Sequence, residues 1–384
     1  MNLPDSIAYI GVNDHEIDLF EGQYEVPNGM AYNSYVICDK TVAVMDSVDA
    51  RFGSEWLGKL AGVLDGKAPD YLIMQHMEPD HSANITRFMD AYPNARMVAT
   101  AKAFDMLQNF YGVSYEDRRI VVKDGDELSL GDRTLRFIAA PMVHWPEVMM
   151  TYDEVDKTLF SADAFGKFGA LDVEEDWACE ARRYYFGIVG KFGKQVAAVL
   201  GKAAALDIQV ICPLHGPVLD ADLGYYLDLY KTWSAYEVES EGVAIAYCSV
   251  YGHTKEAVEL LARELEAAGC PKVAVSDLAR DDMAEAVEDA FRYGTLVLVS
   301  TTYNGDMFPF MKAFIDHLAD HAFQNRRVAF MENGTWAPNA AKAMRAKMEA
   351  CKDITFIDPV VTIKSALTDE SRAAIKELVG ALLG

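Results

Sequence analysis

The sequence lacks the cysteine pattern of several common classes of protein. Its six cysteines stand singly, with no C-x-x-C pair among them: Cys38, Cys179, Cys212, Cys248, Cys270 and Cys351. Scattered cysteines argue against a disulfide framework, a cysteine-ligated zinc site, an iron–sulfur cluster or a built-in cysteine-ligated iron module. We expect most of these thiols to be buried apolar side chains.

Basic residues are also in short supply. The chain has 35 Lys and Arg residues against 59 Asp and Glu residues, which gives a net charge of -24 and a sequence pI near 4.7. So acidic a chain is a poor partner for nucleic acid or an anionic membrane surface. No run of about 18 apolar residues occurs, and the first residues have neither a basic segment nor an apolar signal core, so we expect a soluble cytoplasmic protein.

The length of 384 residues predicts two domains. Short strands separated by turns occupy the start of the chain, and strands then alternate with helices. The alternation restarts shortly before residue 242 with a new apolar run. We therefore predict one domain over residues 1–240 and a second over 241–384.

The densest group of chemically active side chains lies at residues 75–82, Gln-His-Met-Glu-Pro-Asp-His-Ser. It contains two imidazoles and two carboxylates: His76, Glu78, Asp80 and His81. The apolar run 71–74 predicts a buried strand and helical spacing begins at Ser82, so we expect the group in a tight loop between them. Imidazole and carboxylate are ligands of first-row transition ions, and four such groups this close would repel or desolvate one another without a cation. The alternative is a polar loop whose residues all face water.

Three further polar residues each follow a predicted strand: His144, Asp163 and His215. Side chains at strand ends on one edge of a layered α/β fold can converge. A single histidine in such a place is more often a structural residue. Only eight histidines occur in the chain, however, and four of them stand at strand ends. This concentration favours a shared metal site.

The second domain begins with the pattern strand, hydroxyl-rich loop, helix. Residues 242–247 predict the strand, and a helix is expected over 255–268. Free backbone N–H groups at the start of this helix, with the hydroxyls of Ser249 and Thr254, predict a cradle for a phosphate. The loop is neither a Walker A motif nor G-x-G-x-x-G, which disfavours a nucleoside triphosphate or a dinucleotide.

Two later loops also follow predicted strands. They are Thr-Thr-Tyr-Asn-Gly at 301–305 and Glu-Asn-Gly-Thr-Trp at 332–336. Gly and Asn permit the backbone to pass close to a planar ligand, and Tyr303 or Trp336 could stack on a flavin ring. Taken singly, each aromatic is more often ordinary loop packing, but the phosphate cradle in the same domain favours a contact with a flavin.

These motifs together resemble those of a known family. The series His-x-Glu-x-Asp-His at 76–81, followed by His144, Asp163 and His215, resembles the ligand series of the metallo-β-lactamase fold in the variant of the flavodiiron proteins. The loop at 249–254 resembles the FMN phosphate loop of flavodoxins. The resemblance covers essentially the whole chain. It implies an α/β protein with an N-terminal metallo-β-lactamase-like αββα sandwich and a C-terminal flavodoxin-like doubly wound parallel sheet.

The resemblance also implies two cofactors, a non-haem diiron centre and FMN. His76, Glu78 and His144 would hold one iron, Asp80, His81 and His215 the other, and Asp163 would bridge them. Three loops would bind FMN: Ser249, Val250, Tyr251, Gly252, His253 and Thr254; Thr301, Thr302, Tyr303, Asn304 and Gly305; and Asn333, Gly334, Thr335 and Trp336. Four aromatic residues would line the substrate pocket: Tyr184, Tyr185, Phe165 and Trp145.

The implied activity is that of an oxidoreductase. FMN would receive electrons from an external carrier such as rubredoxin, and the diiron site would reduce O2 to water, NO to N2O, or both. The resemblance further implies a head-to-tail homodimer or a dimer of dimers. Because the chain stops at Gly384, we expect no appended rubredoxin or flavin-reductase module. Glu21 aligns where many relatives have a histidine, and the stretch between Asp163 and His215 is shortened.

Two other classes of function are considered. A zinc hydrolase of the same fold would use a metal-bound hydroxide, but Glu78 in place of histidine and the fused flavin module count against it. An FMN electron carrier with an inactive front domain is the second alternative. The intact series of seven ligands argues against that class.

Overall fold

The chain forms two compact units in the computed structural model, which describes residues 2–384. The first unit comprises the residues up to Tyr185 together with Phe192–Lys231. The second comprises Phe186–Lys191 together with Thr232–Gly384. Each unit has its own sheets and its own buried core.

Short strands dominate the first unit. They are β1 (Ile7–Tyr9), β2 (Val12–Asp14), β3 (Leu19–Phe20), β4 (Tyr24–Glu25), β5 (Met30–Tyr32), β6 (Tyr35–Cys38), β7 (Val42–Met45), β8 (Tyr71–Ile73), β9 (Arg96–Thr100), β10 (Arg119–Val122), β11 (Glu127–Ser129), β12 (Thr134–Ala139), β13 (Met149–Asp153), β14 (Thr158–Phe160) and β15 (Val210–Cys212). The helices of this part of the chain are α1 (Gly53–Leu64), α2 (Pro79–Ser82), α3 (Ile85–Ala91), α4 (Ala101–Tyr111), α5 (Trp177–Tyr184), α6 (Gly193–Ala203) and α7 (Leu223–Ser234). A π-helical stretch, Tyr185–Val189, continues α5.

Two sheets face each other in the first unit. One has the strand order β1-β6-β7-β8-β9-β10 and the other β11-β12-β13-β14-β15. Buried side chains from both sheets form one core, which includes Tyr35, Ile73, Phe137 and Phe160. Helix α1 covers this unit with a single apolar stripe, because Trp56, Leu60 and Leu64 recur every four residues and are buried. The sandwich architecture predicted for the N-terminal part is thus confirmed.

The strand directions bring the polar residues that follow them to one edge. Strands β12 and β14 both run antiparallel to β13, and β14 runs parallel to β15, so the ends of all three point the same way. Strand β8 belongs to the facing sheet and leads to His76. His144, Asp163 and His215 follow β12, β14 and β15.

The second unit is a parallel sheet with helices between its strands. The strands are β16 (Ser240–Cys248), β17 (Val273–Asp277), β18 (Tyr293–Thr301), β19 (Gln324–Asn333) and β20 (Lys352–Ile363), and the helices are α8 (His253–Ala267), α9 (Met283–Arg292), α10 (Pro309–Asp320), α11 (Ala340–Met348) and α12 (Asp369–Leu383). The sheet order is β17-β16-β18-β19-β20 and every pair is parallel. This is the 2-1-3-4-5 order of flavodoxin-like folds, so the predicted doubly wound sheet is confirmed.

Among the described residues, no helix combines the length and the apolar character that a membrane span needs. The longest helices are α8 and α12, each of 15 residues. On α8 the buried side chains include Val258, Leu261 and Leu265, one face of an amphipathic helix.

Asn33 connects the start of the chain to the loop that carries His215. Its amide nitrogen donates to the carbonyl oxygens of Pro213 (2.9 Å) and Gly216 (2.7 Å), and the hydroxyl of Tyr9 donates to its oxygen (2.9 Å). Because Asn33 is fully buried, Asn33→Ala would remove three hydrogen bonds away from water, although the carbonyl oxygen of Pro213 would still accept from the hydroxyl of Tyr35 at 3.0 Å.

We expect Asn33→Ala to lower the free energy of unfolding by about 1–3 kcal/mol. Urea unfolding followed by circular dichroism measures this value. Asn94→Ala, at an exposed turn, is the matched control and should leave stability within about 0.5 kcal/mol of the parent. Equal midpoints for the two variants would contradict the role given to Asn33.

Candidate metal centre and cofactor pocket

The seven side chains proposed from the sequence as metal ligands fall into two neighbouring clusters. The first cluster consists of His76, Glu78, His144 and Asp163, and the second consists of Asp80, His81 and His215. In each cluster the donor atoms lie within 4.8 Å of one another. All seven belong to the first unit.

Asp163 turns one carboxylate oxygen toward each cluster. Its Oδ2 lies 3.3 Å from Nε2 of His76 and 3.1 Å from Nε2 of His144. Its Oδ1 lies 3.4 Å from Nε2 of His81 and 3.8 Å from Nε2 of His215. A carboxylate in this orientation can contact two ions at once.

The donor atoms fit two transition ions. The Nε2 atoms of His76 and His144 are 3.2 Å apart, and those of His81 and His215 are 3.0 Å apart. Two nitrogens that bind the same ion, each at about 2.1 Å, are separated by a distance of this size. Both oxygens of Asp163 are buried and form no hydrogen bond among the described residues. Buried carboxylate oxygens of this kind need a cation, and each cluster offers a place for one.

The segment that carries four of these residues is partly helical, whereas the sequence predicted a tight loop up to Ser82. Pro79–Ser82 forms the short helix α2, so Asp80 and His81 lie on a helical turn. Proline is favoured at the first helical position because its ring fixes φ and its missing N–H is not needed there. The backbone before it is held by Asp46, which accepts hydrogen bonds from the N–H groups of Gln75 (2.7 Å) and His76 (3.3 Å).

Each cluster places imidazoles next to carboxylates, and each kind of group shifts the pKa of the other. Burial alone would lower the pKa of His144, but the carboxylates of Asp163 and Glu78 raise it to about 9. Burial would likewise raise the pKa of Asp163, yet the surrounding imidazoles, His76 above all, keep it well below its usual range. Without an ion, protons on the imidazoles therefore compensate the carboxylates at neutral pH.

The aromatic residues proposed for the substrate pocket lie in different places. The ring of Tyr184 is fully buried, 5.5 Å from the ring of His215, and its hydroxyl has no hydrogen-bond partner in the described chain. Trp145 packs its ring against His76 (5.2 Å) and His144 (5.8 Å). These two residues contact the clusters directly.

Tyr185 and Phe165 pack on Tyr230 instead. The ring of Phe165 stacks on that of Tyr230 at 4.2 Å, and the ring of Tyr185 meets it edge-on at 5.2 Å. Phe165 and Tyr230 also line a small apolar cavity that includes Val143 and Ala164, the chain neighbours of His144 and Asp163. Tyr185 and Phe165 therefore stand one layer behind the proposed metal ligands.

Glu21 lies beside Glu78 at the edge of the first cluster. Partial removal from water and the negative charge of Glu78 raise its pKa to about 7, although His144 acts in the opposite direction. Gln23 donates a hydrogen bond to its Oε2 atom at 3.3 Å. Glu21 is solvent-exposed and lies next to the first cluster.

Glu147 is a contact of this site that the sequence analysis missed. Its Oε1 atom lies 2.9 Å from Nδ1 of His76 and accepts the N–H of Met77 at 2.9 Å. The signal that could have found it is its place three residues after His144, in the same loop after β12.

The second unit carries a cavity of about 540 Å3 at the carboxyl ends of its strands. Thirteen of the fifteen residues proposed from the sequence for FMN line it, from Val250, Tyr251, His253 and Thr254 through the loops 301–305 and 333–336. Ala337 and Ser365 line it as well and were not predicted. Ser365 follows β20 at the same sheet edge, so the strand-end rule could have found it.

Two of the predicted residues, Ser249 and Gly252, do not line this cavity. The hydroxyl oxygen of Ser249 accepts the N–H groups of Gly252 (3.2 Å) and Lys255 (3.3 Å), so it shapes the loop from within. Gly252 is the N-cap of α8 and has φ +96°, a conformation that favours glycine. The start of α8 and the Thr254 hydroxyl, 3.0 Å from that of Thr301, fit a phosphate.

Comparisons with known proteins agree with both halves of the chain. A model of the ODP family beta lactamase matches residues 30–216, and a flavodoxin domain model matches residues 244–355. A nitric oxide reductase of Moorella thermoacetica is 31% identical over 377 residues, which are 94% of this chain and 92% of that protein. The chain belongs to the flavodiiron protein family.

Other flavodiiron relatives cover nearly the whole chain. An anaerobic nitric oxide reductase flavorubredoxin of Salmonella typhi is 29% identical over 90% of this chain and 74% of its own length. Among solved structures, the flavodiiron protein of Giardia intestinalis has a TM-score of 0.89 at 26% identity, covering 99% of this chain and 95% of that one. Rubredoxin oxygen:oxidoreductase of Desulfovibrio gigas has a TM-score of 0.91 at 23% identity, covering 100% and 97%.

Family membership implies FMN and a pair of non-haem irons, and the donor sets fit both cofactors. Hard carboxylate and imidazole donors without a thiolate suit iron. The zinc hydrolase and the inactive-domain electron carrier considered from the sequence are accordingly disfavoured.

Metal binding to this flavodiiron chain should release protons. In the metal-free protein the pKa of His76 is raised well above its usual value and that of His144 is raised to about 9, so these two imidazoles hold protons at pH 7 that an ion must displace. We expect the affinity for ferrous iron to rise between about pH 6 and pH 9, up to tenfold per pH unit for each proton displaced. Anaerobic calorimetry in two buffers of different ionisation enthalpy counts the protons. Proton release near zero, with a constant affinity across this range, would contradict the charge balance described above.

Proposed function

We propose that this protein is an oxidoreductase that reduces O2 to water, NO to N2O, or both, with electrons delivered through FMN to a diiron centre. The observation that carries the proposal is the carboxylate of Asp163, whose two oxygens face two separate imidazole and carboxylate clusters. The flavin-sized cavity in the same chain supports it.

We propose the following ligand assignment. His76, Glu78 and His144 would hold one iron, Asp80, His81 and His215 would hold the other, and Asp163, whose two oxygens face the two clusters, would be shared between them. When bound, the diiron centre and FMN supply the electron transfer that the reduction of O2 or NO requires. Glu78 makes the first cluster harder than a histidine would, which favours iron over zinc.

The surrounding side chains keep the site dry and supply polar contacts. Trp145 covers the imidazoles of the first cluster and Tyr184 covers that of His215. Burial and the nearby carboxylates raise the pKa of Tyr184 well above its usual value, so its hydroxyl stays protonated and can donate a hydrogen bond. Glu21, whose pKa is raised to about 7 beside Glu78, can take up or release a proton at this side of the first cluster.

The electron donor and the assembly are further parts of the proposal. A rubredoxin-type carrier is supported by the name of one structural relative, rubredoxin oxygen:oxidoreductase. Tyr251 and Trp336 at the flavin cavity are 92% and 81% exposed in the single chain. Exposed aromatics of this size are typical of contact surfaces, in line with a carrier or a second copy binding there. The head-to-tail homodimer itself stays a prediction.

The purified full-length protein tests the proposal through Asp163→Ala. The parent, prepared without oxygen, should contain about two irons and one FMN per chain and should consume O2 or NO. Asp163→Ala should lose iron and turnover while keeping FMN, because the two clusters lose their shared ligand. Elemental analysis, visible absorbance and gas consumption measure the three quantities.

Asp105→Ala, an exposed change on α4, is the control and should match the parent. Normal iron content and turnover in Asp163→Ala would refute the bridging role. Zinc in the parent would revive the hydrolase, and FMN without metal would favour the electron carrier.

The phosphate cradle is tested by Thr254→Val combined with Ser249→Ala. The double variant loses a hydroxyl that faces the cavity and the acceptor that holds the loop, so FMN should dissociate about tenfold or more readily, in line with the loss of one or two hydrogen bonds. Fluorescence of free FMN after dialysis measures this, and iron content should not change. Thr295→Val, a buried threonine early in β18, is the matched control. Equal flavin retention in both variants would show that the FMN phosphate binds elsewhere.

A further inference from the structure

Glu147 is a buried carboxylate next to the first cluster that the proposed ligand set does not use. The residue is 2% exposed. Its Oε1 atom contacts both the imidazole of His76 and the N–H of Met77, each at 2.9 Å, while Oε2 has no hydrogen-bond partner in the described chain. One carboxylate oxygen therefore touches the backbone and the side chain of the ligand segment together.

This contact determines which nitrogen of His76 faces the cluster. A carboxylate accepts hydrogen bonds, so the proton of the neutral imidazole must be on Nδ1. The lone pair is then on Nε2, which lies 3.1 Å from Oε2 of Glu78 and 3.2 Å from Nε2 of His144. A charged acceptor on the far nitrogen of a metal-binding histidine also makes the near nitrogen a stronger donor.

The histidines of the second cluster have no such partner. Nδ1 of His215 lies 2.8 Å from the carbonyl oxygen of Ala31, a neutral acceptor. Nδ1 of His81 is buried and forms no hydrogen bond among the described residues. Among the described residues, the first cluster therefore has a carboxylate hydrogen-bonded to the far nitrogen of one of its imidazoles, and the second cluster has none.

The surroundings of Glu147 preserve the effect of this charge. His76 is fully buried, and the ring of Trp145 packs edge-on against it at 5.2 Å. Electrostatic interactions are stronger in such an environment than in water.

We propose that Glu147 is a positioning residue that makes the two metal positions unequal. It fixes His76 with Nε2 toward the cluster, and its charge strengthens ion binding in the first cluster relative to the second. This inference rests on the proposed function, because it concerns the metal centre that the function requires.

The test is Glu147→Gln. Glutamine has the same shape and can still accept from His76 and Met77, but it lacks the charge. The metal-depleted full chain is titrated with ferrous iron without oxygen, and 57Fe Mössbauer spectra follow the two positions. The parent should bind two ions with different affinities. In Glu147→Gln one position should bind about 10- to 100-fold more weakly, with a changed Mössbauer doublet, while the other position stays as in the parent.

Asp46→Asn separates this role from mere support of the loop. Asp46 is also a fully buried carboxylate, and it holds the same segment through the N–H groups of Gln75 and His76. In the described chain it forms no hydrogen bond to an imidazole. The Oε1 atom of Gln75 has no partner, so its amide can turn to accept from the new asparagine. Asp46→Asn should lower stability and should not weaken the first position selectively, because the imidazole on which its charge acts is that of His81 in the second cluster.

Two results would overturn the inference. One is a Glu147→Gln variant that binds both ions as the parent does, and the other is an Asp46→Asn variant with the same selective loss. If the parent binds two ions and turns over O2 or NO, either result refutes the role of Glu147 and leaves the proposed function intact. A parent that binds two ions without turnover refutes the proposed function, and the titration still decides the inference. A parent that binds no pair of ions refutes both.

Discussion

The arrangement of the first unit depends on one electrostatic constraint, the burial of Asp163 among imidazoles. Its carboxylate is removed from water and has no hydrogen-bond donor among the described residues, although four imidazole nitrogens lie 3.1–3.8 Å away. Such a group is costly unless positive charge is supplied, by protons in the metal-free protein or by ions in the loaded one. The two facing sheets bring strand ends from different parts of the chain to this point. The fold therefore stabilises a site that would not form in a single segment.

The two units solve different binding problems with different side chains. The first unit gathers carboxylates and imidazoles, which select hard cations. The second unit gathers backbone N–H groups, hydroxyls and aromatics at the edge of a parallel sheet, and Thr254, Tyr303 and Trp336 represent the three kinds of contact. Neither site uses a thiol. The expectation that most of the six cysteines are buried is wrong, since Cys212 and Cys248 are buried and the other four are exposed or half-buried. The scattered cysteines noted in the sequence fit this division, since a redox centre without thiolate ligands avoids oxidation of its own donors.

Much of this could be predicted from the sequence because strand ends are visible as apolar runs followed by polar residues. His144, Asp163 and His215 were found in that way, and the fold class followed from the resemblance of the motifs to those of a known family. Glu147 was missed, since its contact with His76 leaves no mark in the local hydrophobic pattern, and Ser365 was missed although it follows a strand as the predicted residues do. The tight loop expected before Ser82 contains the short helix α2 instead, because Pro79 begins a helical turn. Tertiary position, rather than local pattern, decided the case of Glu147.

The hydroxyl of Ser249 has a consequence for how the second unit meets its cofactor. By accepting the N–H groups of Gly252 and Lys255, it satisfies the turn internally and keeps the start of α8 in shape before any ligand arrives. Little conformational entropy then remains to be lost when a phosphate enters. A preorganised cradle of this kind allows the flavin to leave and return without refolding of the loop. The apoprotein should accordingly accept flavin analogues by simple reconstitution.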